Sequence, residues 1–385
     1  VLDVADPTTA QPVRAALRRA APALLAYAAV RLLGVVVLAI WGLVEGEGWH
    51  QLLSARWDSL WYSRIAEEGY GYTLYLPDGR IHSNLAFFPL LPWLERAVAA
   101  ITPLAPADAG LAVSWLSSLA AAWGIFAVAD RLYGRRTGIA LAVLWAVLPT
   151  GIVQSMAYSE SLFTALAAWA VYALLTRRWV WAGGLAALAG LTRPVGLAVV
   201  AAVWVTAAVA LRPEGWRGPW RSPSGPALGM AIAPLGWLGY VAWTGARTGS
   251  PLGYLDIQRQ WGNGFDGGLA FAGFVRGNLT GPFPLAGIGL LAAIALVGWL
   301  YVLCVRQHQP LPLLVLCGVV AALALAGSGY FGSKPRLLMP AFPLLLPPAA
   351  ALARIRTTPA ALMLGCAALA SAVYGAFWLH GSGPP

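Results

Sequence analysis

The sequence predicts an all-α protein that crosses a membrane many times, and three observations carry that prediction. Of 385 residues, 59% are hydrophobic and 10% are charged, too few charges to cover a soluble surface. The apolar residues gather into runs near the roughly 20 residues that a helix needs to cross a bilayer. Between the runs lie short loops with dispersed arginines, not the alternating segments of about 10 residues that mark a membrane β-barrel.

Taken in order, the runs predict spans at 22–44, 110–130, 138–156, 160–176, 179–192, 195–211, 227–246, 282–304, 310–328, 337–353 and 359–379, about eleven in one domain covering 1–385. The first carries Arg31 well inside it. A cation there is costly, and its role is open between a lipid phosphate and snorkelling to the interface. No signal-cleavage pattern precedes that run, so it is expected to stay as an anchor. The stretch AFFPLLPWLERAVAAITPL (86–104) is apolar enough for a further span, but it holds Pro89, Pro92, Glu95 and Arg96. A Glu-Arg pair in mid-membrane is costly.

Loop charge decides between the two topologies. If 86–104 lies along the interface, Arg131, Arg135 and Arg136 fall on the same side as Arg14, Arg18, Arg19, Arg177, Arg178, Arg212, Arg217, Arg221, Arg306, Arg354 and Arg356. Only Asp3, Asp6, Asp130 and Glu214 oppose them. The positive-inside rule then predicts a cytoplasmic N-terminus and an external C-terminus. The long segments 45–109 and 247–281 fall outside, the first with amphipathic helices beside the membrane. Most carboxylates lie on that outer face.

Several functions are excluded. A net charge of +10 does not signal nucleic acid, because the basic residues are spread over short loops. Cys304, Cys317 and Cys366 sit inside apolar runs without disulfide or zinc spacing, and no metal or other cofactor is expected. P-loop, dinucleotide, HExxH and GxSxG signatures are missing. The longest cytoplasmic loop, about 212–226, is too short for a nucleotide-binding domain. A transferase of this shape would take its donor from the membrane as a lipid-linked sugar.

The candidate chemistry lies on the outer side. In RWDSLWYSRIAEEGY (56–70), read as a helix, Asp58, Tyr62, Ile65 and Gly69 form one stripe, and Trp57, Trp61, Arg64 and Glu68 the next. The tryptophans suit headgroup-level anchors, and Arg64 with Glu68 an i,i+4 pair. A carboxylate among aromatic rings suits a general base of tuned pKa, which makes Asp58 the candidate. NLAFFPLLP (84–92) is broken by its prolines and returns to the membrane beside it. In SMAYSESLF (155–163), Ser159 reads as a helix cap with Glu160 in the first turn, or Glu160 as a substrate contact. Arg193 in LTRPVG (191–196) either snorkels or holds an anion. IQRQWGNGF (257–265) offers Gln258, Trp261 and Asn263, amides and a ring that suit sugar hydroxyls and faces. In GYFGSKPRLLMPAFPLL (329–345), Lys334 and Arg336 suit a phosphate or lipid headgroups.

WDSLWYSRIAEEGY (57–70), AFFPLLP (86–92), SMAYSESLF, LTRPVG and IQRQWGNGF, in this order, resemble the PIG-V family, the GPI-anchor second-mannose transferases, and its prokaryotic relatives. The resemblance covers roughly 50–345. R-P-x-G and K-P-R-L-L…P are shared more widely among GT-C membrane glycosyltransferases, and QWGNGF stands where the family is closer to YWN-x-GF. The resemblance implies a GT-C fold, a polyprenyl-phosphate mannose donor, and a lipid or glycan acceptor. It implies a catalytic aspartate in the first external loop, here Asp58, and no clear need for a metal. Lys334, Arg336 and Arg193 are then candidates for the donor phosphate. Tyr62, Arg64, Glu160, Gln258, Trp261 and Asn263 are candidates for substrate contacts. Two alternatives stay open: a GT-C enzyme of another lipid-linked sugar, and a lipid or glycolipid transporter. Against the transporter, only Arg31 sits deep in a span and no internal repeat is visible.

Overall fold

In an apolar solvent every backbone N–H and C=O needs an internal partner, so the apolar runs fold as helices. A computed structural model describes residues 13–212, 224–381 and 383. Asp3, Asp6, Glu214, Arg217 and Arg221, which entered the charge argument, lie outside the described residues. In chain order the helices are α1 (Val13–Glu45), α2 (Trp49–Ser54), α3 (Asp58–Glu68), α4 (Leu90–Ile101), α5 (Pro106–Tyr133), α6 (Arg135–Ala146), α7 (Ser159–Leu175), α8 (Trp179–Gly190) and α9 (Leu197–Ala210). They continue as α10 (Ser224–Ile232), α11 (Leu235–Thr248), α12 (Gly253–Gln260), α13 (Leu269–Thr280), α14 (Pro284–Arg306), α15 (Leu311–Ala326), α16 (Lys334–Leu337), α17 (Leu346–Arg354) and α18 (Thr357–Leu379).

Among the described residues α1, α5, α14, α18 and the continuous stretch Ser224–Thr248 are long and apolar enough to cross a membrane. The helices α7, α8, α9 and α15 are apolar but shorter. The chain is an integral membrane protein. Its core forms around α5 and α7, whose facing residues are small. Gly124 lies so close to α7 that a Cβ on it would stand 2.9 Å from the Cβ of Ala168. Small residues are what allow membrane helices to approach this closely. By contrast α14 has only 6% of its apolar window buried, so its side chains face outward.

Two expected spans are not single helices. Within 138–156, α6 ends at Ala146 and a 3-10 turn occupies Gly151–Ser155. Pro149 lies in the gap. It has no N–H to donate, and it disfavours helical geometry at Leu148. Arg31 is accounted for here: its guanidinium donates to the carbonyls of Ala146 and Gly151, on either side of the break. The cation therefore serves carbonyls that the break frees, and neither a lipid phosphate nor snorkelling is required. Gln154 adds a second tie, donating to Trp145 O at 2.7 Å and accepting from Tyr27 Oη at 2.9 Å. Within 337–353, the arms Phe331–Leu337 and Phe342–Arg354 meet at 74°, with Pro340 and Pro343 near the corner.

The 45–109 segment contains α2, α3 and α4, and also a hairpin that the helical reading did not include. Its strands are β1 (Thr73–Tyr75) and β2 (Ile81–Ser83), antiparallel, with Leu74 opposite His82. The turn is Pro77-Asp78-Gly79. Asp78 Oδ1 accepts from the Arg80 backbone N–H at 3.1 Å, and Gly79 takes φ +84°, which glycine adopts without a Cβ clash. The helix α4 has 12 residues, about 18 Å of rise, short of a hydrocarbon core of about 30 Å. Glu95 and Arg96 do not form a pair: Glu95 is buried and Arg96 exposed. The Glu95 carboxyl lies on Gly110 of α5, where a Cβ would come within 2.6 Å of Oε1. Burial, with Glu67 adding to it, pushes Glu95 well above the usual carboxylate range and favours its neutral form.

The 247–281 segment contains α12 and α13 and docks on the first. Trp261 Nε1 donates to Ser83 O at 3.0 Å, and Gln258 Nε2 donates to Ala86 O at 3.2 Å. The Trp261 ring stacks on His82, with centroids 3.9 Å apart. The two segments thus make one cap over the end of the bundle where α7 begins.

Candidate active site

Asp58 opens α3. Trp57 before it has φ +51°, unusual for a bulky side chain, and the turn is tied down on both sides. The Arg56 backbone N–H donates to Ser59 Oγ at 2.8 Å, and the Asp58 backbone N–H donates to Tyr158 Oη at 3.3 Å. The Arg56 guanidinium donates to the carbonyls of Leu379 and Gly381, fixing the turn to the end of α18.

From Asp58 a chain of charges runs inward. Arg336 Nη1 donates to Asp58 Oδ2 at 2.9 Å. Arg336 Nε lies 3.2 Å from Glu160 Oε1, and Arg193 Nη1 lies 2.5 Å from the same oxygen. Arg193 Nη1 also donates to Ser159 Oγ at 3.1 Å, and Ser159 shares a 2.8 Å hydrogen bond with Tyr62 Oη. Four parts of the chain meet here: α3, the start of α7, the turn between α8 and α9, and α16. Two carboxylates face two guanidiniums, so the cluster balances its own charge, as buried ions must. Side-chain exposure falls from 24% at Asp58 to 12% at Arg193, 9% at Arg336 and 1% at Glu160. Asp58 is therefore the member that an incoming molecule can reach. Its Oδ1 carries no hydrogen bond among the described residues.

Each expected site residue can now be placed. Asp58, Glu160, Arg193, Arg336 and Tyr62 come together. Glu160 is in the first turn of α7, where a negative charge suits the helix dipole. Ser159 is not the cap, because the N-cap position is Tyr158 and Ser159 is engaged with Tyr62 and Arg193. Arg193 does not snorkel; it is the partner of Glu160. Tyr62 is buried, and burial raises its phenol, so it stays protonated and acts as a hydrogen-bonding partner. Arg64 lies 3.8 Å over the Tyr72 ring and 3.9 Å from Glu68. Trp61 does not stand at a headgroup layer as a free ring, since it stacks on Phe87 and meets Trp261 edge-on at 4.9 Å.

The amides of the second segment are also engaged within the protein. Gln258 Nε2 donates to Tyr254 Oη at 2.8 Å, and Asn263 Nδ2 donates to Gln258 Oε1 at 2.8 Å. Lys334 is buried and donates to the carbonyls of Ala324 at 2.6 Å and Gly327 at 2.8 Å, at the end of α15. An ammonium has three N–H donors, so one is left, and it sits 4.5 Å from the Phe271 ring. Among the described residues no three His, Cys, Asp or Glu side chains converge as a metal-ligand group.

Ser159, Tyr158 and His82 were not among the expected site residues. Ser159 links Tyr62 to Arg193. Tyr158 holds the Asp58 N–H and lies under the Arg336 guanidinium at 5.1 Å. The signal for both was their position inside SMAYSESLF. His82 is lowered by burial and by Arg80, and stays neutral against Trp261.

No family model and no curated protein matches the chain. Among solved structures it is similar to ArnT from Cupriavidus metallidurans bound to undecaprenyl phosphate, with a TM-score of 0.53 over 91% of this chain and 74% of that one. The apo state of the same protein gives a TM-score of 0.51 over the same shares. The chain has the GT-C fold. At 15% identity in both comparisons, the likeness is one of fold. Within the GT-C fold of this chain, the Asp58 cluster lies under the cap made by the 45–109 and 247–281 segments.

Proposed function

We propose that the chain transfers a sugar from a polyprenyl-phosphate donor to a hydroxyl of a lipid or glycan acceptor, and that the sugar is mannose. The observation that carries this reading is the Asp58 carboxylate: partly open, fastened through Oδ2 to Arg336, and placed at the end of a GT-C bundle. Mannose rests on the resemblance of the motifs around Asp58, Tyr158, Arg193 and Trp261 to the PIG-V family.

The acceptor hydroxyl approaches Asp58 Oδ1, which takes its proton as the oxygen bonds to the anomeric carbon. The bond from that carbon to the phosphate oxygen breaks on the opposite face, and the electron pair leaves with the polyprenyl phosphate. One displacement inverts the anomeric centre. Phosphate leaves without a strong acid. Arg336, Arg193 and the remaining N–H of Lys334 offset the charge that develops on it. Glu160 holds the two arginines in place, and Tyr62 holds Ser159, which accepts from Arg193. Arg64, Gln258, Trp261 and Asn263 border the acceptor side. One positioned base supplies about 10²–10⁴-fold, and alignment of two membrane-bound substrates supplies much of the rest. No metal enters this scheme, so EDTA is expected to leave the rate unchanged.

The site faces the external side, with the N-terminus cytoplasmic. A reporter fused after Ser333 reads this directly, and a cytoplasmic signal there overturns the topology. The function is tested by incubating the purified protein with polyprenyl-phosphate [¹⁴C]mannose and a membrane lipid extract. A new glycosidic product supports the reading. Movement of label across the bilayer without a new bond supports a transporter instead.

A further inference from the structure

About 28 Å of α5 rise separate Ser114, which donates to Tyr158 O beside the Asp58 cluster, from Tyr133 at the other end. That other end has a pocket of about 390 Å³ between the turn joining α5 to α6 and the end of α17. Arg135, Arg136 and Arg354 line it, together with Tyr133, Thr137 and the small residues Ala350 and Ala353.

None of the three arginines meets a carboxylate among the described residues. Arg136 Nη2 makes long contacts to Ile355 O at 3.4 Å and Thr357 Oγ1 at 3.5 Å. Arg135 Nε donates to Arg19 O at 3.2 Å, and the Arg354 side chain has no hydrogen bond or ion pair among the described residues. Asp130 is the sole acidic residue in 125–140 and 345–360, and Arg19 already holds both its oxygens, at 2.6 and 2.8 Å. Three like charges around one hollow repel one another, and a bound anion removes that cost. The planar fork of a guanidinium matches the oxygens of a phosphate group.

We propose that this pocket takes the phosphate head-group of an anionic phospholipid from the leaflet opposite Asp58. The position favours a lipid over a free anion. The pocket lies where spanning helices end, its floor is alanine, and Tyr133, 38% exposed, stands at the rim as interfacial aromatic residues do. Basic hollows between membrane helices bind such head-groups. The bound phosphate bridges the α5–α6 turn and the end of α17, two elements that also pack against each other through α6. It therefore fastens the end of α17 to the α5–α6 turn.

The test uses the full chain in detergent and does not depend on transferase activity. Dissociation constants and melting temperatures are measured with phosphatidylglycerol, phosphatidylcholine and inorganic phosphate. Phosphatidylglycerol is expected to bind and to raise the melting temperature, and the other two are not. The Arg135→Gln/Arg354→Gln variant should weaken phosphatidylglycerol by about 30-fold, from about one surface arginine's attraction per substitution. Arg354→Lys, which keeps the charge, should weaken it far less. Both side chains are exposed, so an unchanged melting temperature in phosphatidylcholine checks that the variants fold. Equal effects of the two lipids, or undiminished binding by the double variant, overturn the proposal. Inorganic phosphate reproducing the shift overturns the lipid assignment.

Discussion

The two ends of the bundle treat arginine in opposite ways. At the Asp58 end, Arg336 is buried, Arg193 is partly buried, and they share Glu160 Oε1 at 3.2 and 2.5 Å. At the Tyr133 end, Arg135, Arg136 and Arg354 are exposed and meet carbonyls, a hydroxyl or no partner among the described residues. A buried ion has to be matched inside the protein. An exposed one can be matched by whatever arrives. The first end therefore has a fixed, self-neutral charge pattern with one carboxylate at its mouth. The second has a standing surplus of positive charge.

The sharpest way to break this contrast is to remove the shared anion. Glu160→Ala leaves the buried Arg336 and the partly buried Arg193 without their common partner and is expected to destabilise the protein by about 3–5 kcal/mol. Arg135→Gln, at the exposed end, should stay within about 0.5 kcal/mol when no anionic lipid is present. Thermal unfolding in one detergent compares the two, and equal losses would remove the distinction. Next in size is Arg31→Leu, which strips the carbonyls of Ala146 and Gly151 of their donor. The expected loss is about 1–3 kcal/mol for each buried group left bare, read by the same unfolding curve.

Acid should loosen the cap while sparing the rest of the bundle. Burial and Arg80 hold His82 below the ordinary histidine value, so the folded state resists its protonation. Its stacking on Trp261 is unaffected above the unfolded pKa near 6.5 and weakens as pH falls below it. Hydrogen exchange over 247–281 should rise from pH 7 to pH 5, and His82→Phe should abolish that rise. The smallest effect is expected at Arg64 and Glu68, an exposed pair 3.9 Å apart, where Glu68→Gln should change stability by less than about 0.5 kcal/mol.

How much of this was legible in the sequence follows from the range of each signal. The apolar runs are local and continuous, so the helices at 22–44, 110–130 and 359–379 were visible. The breaks near Pro149 and Pro340 were hidden because apolarity continues across them, although the prolines themselves were the cue. The hairpin had an explicit local mark, Pro77-Asp78-Gly79, inside an external segment for which only helices beside the membrane were expected. Within the site, Asp58 stood out because a charge among tryptophans is rare in such a chain. Arg336 was also a candidate, but its pairing with Asp58 was not legible, since the two lie 278 positions apart and no periodicity links them. Lys334 and Arg336 looked equivalent in the sequence, yet one caps α15 and the other bridges two carboxylates. Only tertiary packing separates them.

Asp58 as the base is tested most directly by the rate of mannose transfer from polyprenyl-phosphate mannose to acceptor with Asp58→Asn. The amide can still accept a hydrogen bond from Arg336 but takes no proton at neutral pH. Turnover is expected to fall by about 10²–10⁴-fold while donor affinity stays near that of the unaltered protein. Transfer at close to the original rate by a folded Asp58→Asn protein would contradict the assignment.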